Sequence, residues 1–268
     1  MIVVGSKNFT EQIILGELLA RHIESNLGVE VDRRLNLAGS FLCHQAVISG
    51  EIDLYVEYTG TAFTGILGHD PTGDRDEVYQ SVKQEYADRF SLEWTEPLGF
   101  NNTFAIMVRG EDARNLGLQT ISDASVHTPK WRAGFGYEFV ERADGLRGLT
   151  VAYGLRFVEQ PLEMDLGLMY RALNERQVDF IAGNSTEGLV DVLDLAVLED
   201  DRHYFPPYQA APVVNKGALE RHAGLREVLR SLADSISDTD MRRMNYAVDG
   251  ERRDVREVVR TYLESKGL

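Results

Sequence analysis

The feature that most constrains this chain is a unit that occurs twice. Residues 44–61, "HQAVISGEIDLYVEYTGT", and residues 170–187, "YRALNERQVDFIAGNSTE", lie 126 positions apart and read alike. Each is a helix, a short turn, an apolar strand and a polar loop. Ala46 aligns with Ala172, Asp53 with Asp179, Ile52 with Val178 and Leu54 with Phe180. The segments before them, "VEVDRRL" and "LRFVEQP", both read as strands. The economical reading is two similar α/β lobes, in which the loops after Val56 and Ala182 are equivalent. Open parallel sheets bind ligands just outside the carboxyl ends of their strands. Two lobes with those ends facing each other enclose a cleft, with Tyr58 on one side and Asn184 on the other.

The rest of the chain fits that plan. "MIVVGS" reads as a buried strand, and "NFTEQIILGELLARHIESNLG" as an amphipathic helix with Ile13, Ile14, Leu18 and Ile23 at helical spacing. Asn8 and Glu11 suggest a capping box, and Gly28 a stop. "VEVDRRLN" and "EIDLYV" are strands flanking the helix "SFLCHQAVISG", and "LRFVEQPL" and "QVDFIAG" are strands flanking "DLGLMYRALNER". Strands alternating with helices predict a largely parallel sheet. The last forty-odd residues are helical and polar-faced. No low-complexity linker interrupts the chain, so crossings between lobes are short. We place lobe 1 at residues 1–101 plus 207–268 and lobe 2 at 102–206.

Composition removes several classes of partner. With 28 Lys and Arg against 43 Asp and Glu, the 268 residues carry a formal charge of −15. That field disfavours nucleic acid and anionic membrane surfaces. The single cysteine, Cys43, permits no internal disulfide. No apolar run reaches the ~18 residues that a membrane span needs. "MIVVGSKNF" enters a strand at once, with no signal segment before it. A trimmed start and a natural start look the same here.

Enzyme signatures are missing from the pattern. The six histidines are scattered, with no HExxH, CxxC, GxSxG or P-loop, and Gly134, Gly136 and Gly145 do not make a GxGxxG. Cys43 sits in an apolar helix, which suits a buried inert thiol; His44 beside it reads as a surface or satisfied core residue. Nothing implies a cofactor or metal. Binding is the better match. The polar loops "GSKNFTEQ", "EYTGT", "FNNTF", "ERADG", "GNSTEG" and "FPPYQ" offer aromatics (Tyr58, Phe104, Tyr208), cations (Lys7, Arg142) and hydroxyls (Ser6, Thr61). Aromatic faces attract quaternary ammonium groups, and Lys, Arg and Thr attract a carboxylate. A ligand with a methylated ammonium at one end and a carboxylate at the other uses both sets.

The stretches "VGSKNFTEQIILGELLA", "GEIDLYVEYTGT", "GFNNTFA" and "FPPYQAAPVV" resemble the substrate-binding proteins of osmoprotectant ABC transporters, the glycine betaine, carnitine and choline binders of the ProX and OpuC type. The resemblance runs in order over essentially the whole chain. It implies a type II periplasmic-binding fold, two α/β lobes with a ligand cleft between them, closing on a cage of tyrosines and handing the ligand to a membrane permease. It implies an extracytoplasmic or periplasmic setting, whose signal or anchor segment is absent from this chain. By that resemblance Tyr58 and Tyr208 are cage tyrosines, and Lys7, Thr61 and Arg142 are carboxylate contacts.

Three departures bear on the ligand. Phe104 stands where a tyrosine is expected, Asn184 where a tyrosine or another cage group is expected, and Asn102 where some relatives carry an aspartate. A cage reduced to Tyr58, Phe104 and Tyr208, with a polar wall at Asn102 and Asn184, leaves room for a larger functionalised betaine such as ergothioneine. The plain alternatives are that Thr61 caps a helix, Lys7 is a solvated charge, Arg142 pairs with Glu141 or Asp144, Phe104 is core and Asn184 bends a turn. Two other function classes remain: an enzyme on the same two-lobed fold, such as a porphobilinogen-deaminase-like transferase, and the sensing domain of a regulator. The first needs a reactive cysteine on an exposed loop, the second an attached DNA-binding segment.

Overall fold

The structure is a computed structural model that describes residues 1–142 and 144–268. Its ten strands are β1 (Ile2–Lys7), β2 (Val31–Ala38), β3 (Leu54–Tyr58), β4 (Leu92–Trp94), β5 (Phe104–Arg109), β6 (Ala133–Gly136), β7 (Leu162–Met164), β8 (Phe180–Asn184), β9 (Leu195–Leu198) and β10 (Ala210–Asn215). The chain divides into two compact units. One comprises Met1–Leu67, Arg75–Asn102 and Tyr208–Leu268; the other comprises Gly68–Asp74 and Thr103–Pro207.

Each unit is built on a five-stranded mixed sheet, and the two sheets have the same plan. The orders are β2-β1-β3-β10-β4 and β7-β6-β8-β5-β9. In the first, β1 runs parallel to β2 and β3, while β10 runs antiparallel to β3 and β4. In the second, β6 runs parallel to β7 and β8, while β5 runs antiparallel to β8 and β9. The aligned residues of the two sequence repeats do the same work. The Asp53 N–H donates to the Val3 carbonyl, and its carboxylate accepts from the Val3 N–H at 2.8 Å. Asp179 makes the same pair of bonds with Arg132. Each aspartate also takes a guanidinium at 2.6 Å, from Arg221 in the first unit and Arg109 in the second. The carbonyls of Ala46 and Ala172 each accept from the turn ahead of the next strand, from Ile52 and Val178.

The cores lie between sheet and helices. In the first unit, Tyr55, Tyr86, Trp94, Val47, Val78 and Val213 are buried together; in the second, Met107, Met169, Tyr170, Leu173, Val178 and Ile181 are. Burying such side chains stabilises each by roughly 1.5–3 kcal/mol. The long helix Thr10–Leu27 buries Ile14, Leu18 and Ile23 and packs on β1, β2 and the C-terminal helices Asp238–Asp249 and Val255–Lys266. It ends at Gly28 with φ of 64°, a left-handed conformation that glycine adopts without strain.

Four expectations fail locally. The Asn8–Glu11 capping box does not form: Phe9 is the N-cap and makes no side-chain cap, because Glu11 is turned inward and buried. Thr61 does not cap a helix either. Gly60 holds that position, and Thr61 opens a π-helical turn, Thr61–Ile66. The strand expected over "LRFVEQPL" is regular only from Leu162 to Met164. Its partner β6 is four residues long, pairing begins at Gly134 with Leu162, and Pro161 has no N–H to offer. His44 is buried in the core, but its Nδ1 has no hydrogen-bond partner among the described residues.

Candidate ligand-binding site

In each unit the candidate residues collect at one end of the sheet. Lys7 is the last residue of β1 and Tyr58 the last of β3. Asn184 is the last of β8. The antiparallel strand starts beside these ends: Ala210 of β10 pairs with Tyr58, and Phe104 of β5 pairs with Asn184. Tyr208 and Asn102 each stand two residues before the start of one of these antiparallel strands, β10 and β5. All of them therefore lie at the carboxyl ends of the parallel strands, where an open sheet leaves backbone and side chains available to a ligand.

In the first unit the group is dense, polar and buried. The Lys7 ammonium forms a buried ion pair with Glu57 and donates to Ser40 Oγ at 2.9 Å. It also lies 4.7 Å from the centroid of the Tyr58 ring. Glu57 is held from two more sides: its Oε1 accepts from the Tyr58 N–H at 2.7 Å, and its Oε2 from the Tyr55 hydroxyl at 3.2 Å. A buried carboxylate with this many donors meets the requirement that a desolvated charge be paired and hydrogen-bonded. The Tyr58 ring is stacked near Phe9, with centroids 6.4 Å apart. Its hydroxyl donates to Glu11 Oε1 at 2.6 Å, the same oxygen that accepts from Asn102 Nδ2 at 2.7 Å. Glu11 Oε2 accepts from Asn245 Nδ2 at 3.0 Å. Burial and the adjacent Glu11 carboxylate push the Tyr58 phenol well above the usual tyrosine range. Asn102 Oδ1 is buried and receives no hydrogen bond among the described residues. Tyr208 is buried, and its carbonyl accepts from the Asn102 N–H at 3.0 Å. Thr61 is buried three residues beyond Tyr58.

In the second unit the group is aromatic. The Phe104 ring meets Phe139 edge-on at 4.9 Å and lies 5.8 Å from Phe205. The Arg142 guanidinium sits 5.4 Å from the Phe104 centroid. Arg142 grips Asp144 with two bonds, Nε to Oδ1 at 2.8 Å and Nη2 to Oδ2 at 2.7 Å, and lies 3.5 Å from Glu138. Of the pairings anticipated for Arg142, Asp144 is the one formed. The Asn184 N–H donates to the Tyr170 hydroxyl at 3.0 Å.

The structure thus joins Lys7, Tyr58 and Asn102 in one hydrogen-bonded cluster with Tyr208 alongside. It joins Phe104 with Arg142 in another, with Asn184 opposite Phe104 in the sheet. Sequence reasoning missed Glu11, Glu57, Phe139 and Phe205. Glu57 stands inside the "EYTGT" block, and Glu11 inside "NFTEQ"; two carboxylates next to the tyrosine and lysine of those motifs were the available signal. Cys43 is buried, and burial raises its thiol to about 11, which fits an inert side chain.

A model of the substrate-binding domain of ABC-type glycine betaine transport systems matches residues 1–265. The chain belongs to that family. Among its relatives, the ergothioneine transport permease/ergothioneine binding protein EgtU of Helicobacter pylori is 34% identical over 268 residues, which are all of this chain and 48% of that protein. The carnitine transport binding protein OpuCC of Listeria monocytogenes is 32% identical, over 98% of this chain and 86% of that one. A crystal structure of a glycine betaine/carnitine/choline ABC transporter protein superposes with a TM-score of 0.87 at 31% identity, covering 100% of this chain and 99% of that one. The family's members named here are transport components rather than enzymes, and the periplasmic-binding fold of two α/β units is theirs. The chain spans about half the length of the Helicobacter relative. No helix among the described residues is long and apolar enough to cross a membrane.

Proposed function

We propose that this chain is the substrate-binding part of an ABC importer, working on the extracytoplasmic or periplasmic face of the membrane. Its ligand is a small quaternary-ammonium compound of the betaine, carnitine or choline class, which it delivers to a membrane permease. The observation that carries this reading is the placement of Tyr58. It ends a parallel strand, with an ammonium already over its ring and a carboxylate on its hydroxyl. An aromatic face in such surroundings attracts a desolvated cation by about 2 kcal/mol. The other residues divide by chemistry. Phe104 and Tyr208 add aromatic surface for the methylated head. Arg142, Lys7 and Thr61 supply donors for a carboxylate at the other end, and Asn102 and Asn184 add amides beside the rings. The relatives' names point to the same ligand class.

A second reading, a larger functionalised betaine such as ergothioneine, is favoured by one observation. Asn102 Oδ1 is a buried acceptor without a donor among the described residues, and such atoms are costly to leave unsatisfied. A ligand carrying an O–H or N–H, as ergothioneine, carnitine and choline do, satisfies it; glycine betaine does not.

Titration calorimetry on the wild type with glycine betaine, carnitine, choline and ergothioneine tests both readings. We expect binding to at least one, with a loss of more than about tenfold in Tyr58→Ala. Binding of none overturns the function. A preference of less than about threefold among all four counts against the second reading.

A further inference from the structure

We propose that Glu11 is a positioning residue that makes Tyr58 selective for a cationic head group over a neutral group of the same shape. The inference rests on the reading that the chain binds a quaternary ammonium at Tyr58. Its basis is the bond from the Tyr58 hydroxyl to Glu11 Oε1 at 2.6 Å. A hydroxyl donating to a carboxylate at this distance is a strong, charge-assisted hydrogen bond. As the phenolic proton leans toward the carboxylate, electron density moves onto the oxygen and into the ring. The negative face that attracts a cation is strengthened, while contact with a neutral group is unaffected.

Two further observations support it. First, the carboxylate is fixed, not merely adjacent. Asn102 Nδ2 and Asn245 Nδ2 hold its two oxygens at 2.7 and 3.0 Å, and Glu11, Asn102 and Asn245 are all buried. The low dielectric of such a place strengthens the effect of the charge on the ring. Second, a cation sits close to the Tyr58 ring in this structure: the Lys7 ammonium, held by Glu57 and Ser40, lies 4.7 Å from the centroid. Phe104, the aromatic candidate of the other unit, has no hydroxyl and cannot be tuned in this way. The discrimination between cation and isostere therefore concentrates at Tyr58.

The test compares a cation with its carbon isostere: glycine betaine against 3,3-dimethylbutanoate, and choline against 3,3-dimethylbutan-1-ol. In each pair a quaternary carbon replaces the nitrogen, so shape is kept and charge removed. Affinities are measured by calorimetry for the wild type, Glu11→Gln and Tyr58→Phe, with a thermal melt for each. We expect Glu11→Gln to weaken the cation by about tenfold and to leave the isostere within about threefold, so the wild-type preference collapses. Tyr58→Phe keeps the ring and the Glu11 charge but breaks the link, and reduces the preference by at least about threefold. It decides the matter alone if Glu11→Gln does not fold. Equal losses for cation and isostere overturn the proposal, because they mean Glu11 only supports the shape of the site. An unchanged preference overturns it too. A wild type that binds neither member of either pair, and neither carnitine nor ergothioneine, removes the functional reading underneath, which is a different failure.

Discussion

His44 lies edge-on to Tyr86 and Phe90, with ring centroids 5.1 and 4.8 Å away, and is buried in the first unit's core. Burial, with a smaller contribution from Arg89, lowers its pKa from 6.5 to about 4. The folded state therefore holds it neutral, while the unfolded chain binds a proton below about 6.5. Its contribution to stability is complete above pH 6.5, declines as pH falls from 6.5 to 4, and is gone below that. The span is worth at most about 3 kcal/mol, and less to the extent that solvent screens the charge. Urea unfolding at pH 7 and pH 4 measures it. His44→Phe, which suits the same aromatic surroundings, is expected to lose less stability over that interval than the wild type; an identical loss contradicts the assignment. At this scale the sequence was readable where residues act within one motif. Lys7 of "GSKNF" and Tyr58 of "EYTGT" do come together. It was unreadable where partners are distant. Asn102 and Asn245 reach Glu11 from 91 and 234 positions away, and no local pattern announces such a meeting. Glu11 therefore looked like a helix cap, a role that spacing alone suggests.

At the scale of elements, the two aligned helix–turn–strand segments were the most legible part of the fold. Asp53 and Asp179 recur because each ties the start of its strand to the neighbouring strand. Ala46 and Ala172 recur because their carbonyls receive the turn. Strand length was less legible, since it depends on the partner: β7 is short because β6 is short. The end of β8 shows how tightly an element is fitted. A Cβ at Gly183 would lie 2.5 Å from the Tyr170 hydroxyl and 2.7 Å from its Cε1. Tyr170 is buried in the second unit's core and accepts from the Asn184 N–H, so it has little room to yield. Gly183→Ala should destabilise the protein by about 1–3 kcal/mol, as overpacking does. It should also lower the melting temperature by several degrees. Should the variant melt with the wild type, the packing described around Tyr170 is wrong.

For the whole molecule, the shared strand order of the two units and the family match over residues 1–265 place the chain among betaine-type binding domains. The formal charge of −15 argued against nucleic acid and anionic membrane surfaces but did not indicate a ligand. That came from which side chains meet at the strand ends. The measurement that tests the account most directly is a thermal-shift panel on the wild-type chain. Glycine betaine, carnitine, choline and ergothioneine are each compared with glycine, ethanolamine and histidine, which lack the methylated ammonium. A ligand at about 100 times its dissociation constant stabilises the folded state by about 2.7 kcal/mol, enough to raise the midpoint by several degrees. Such a rise is expected with at least one methylated compound and with none of the unmethylated ones. Equal shifts with methylated and unmethylated members, or shifts with the unmethylated ones alone, would contradict it.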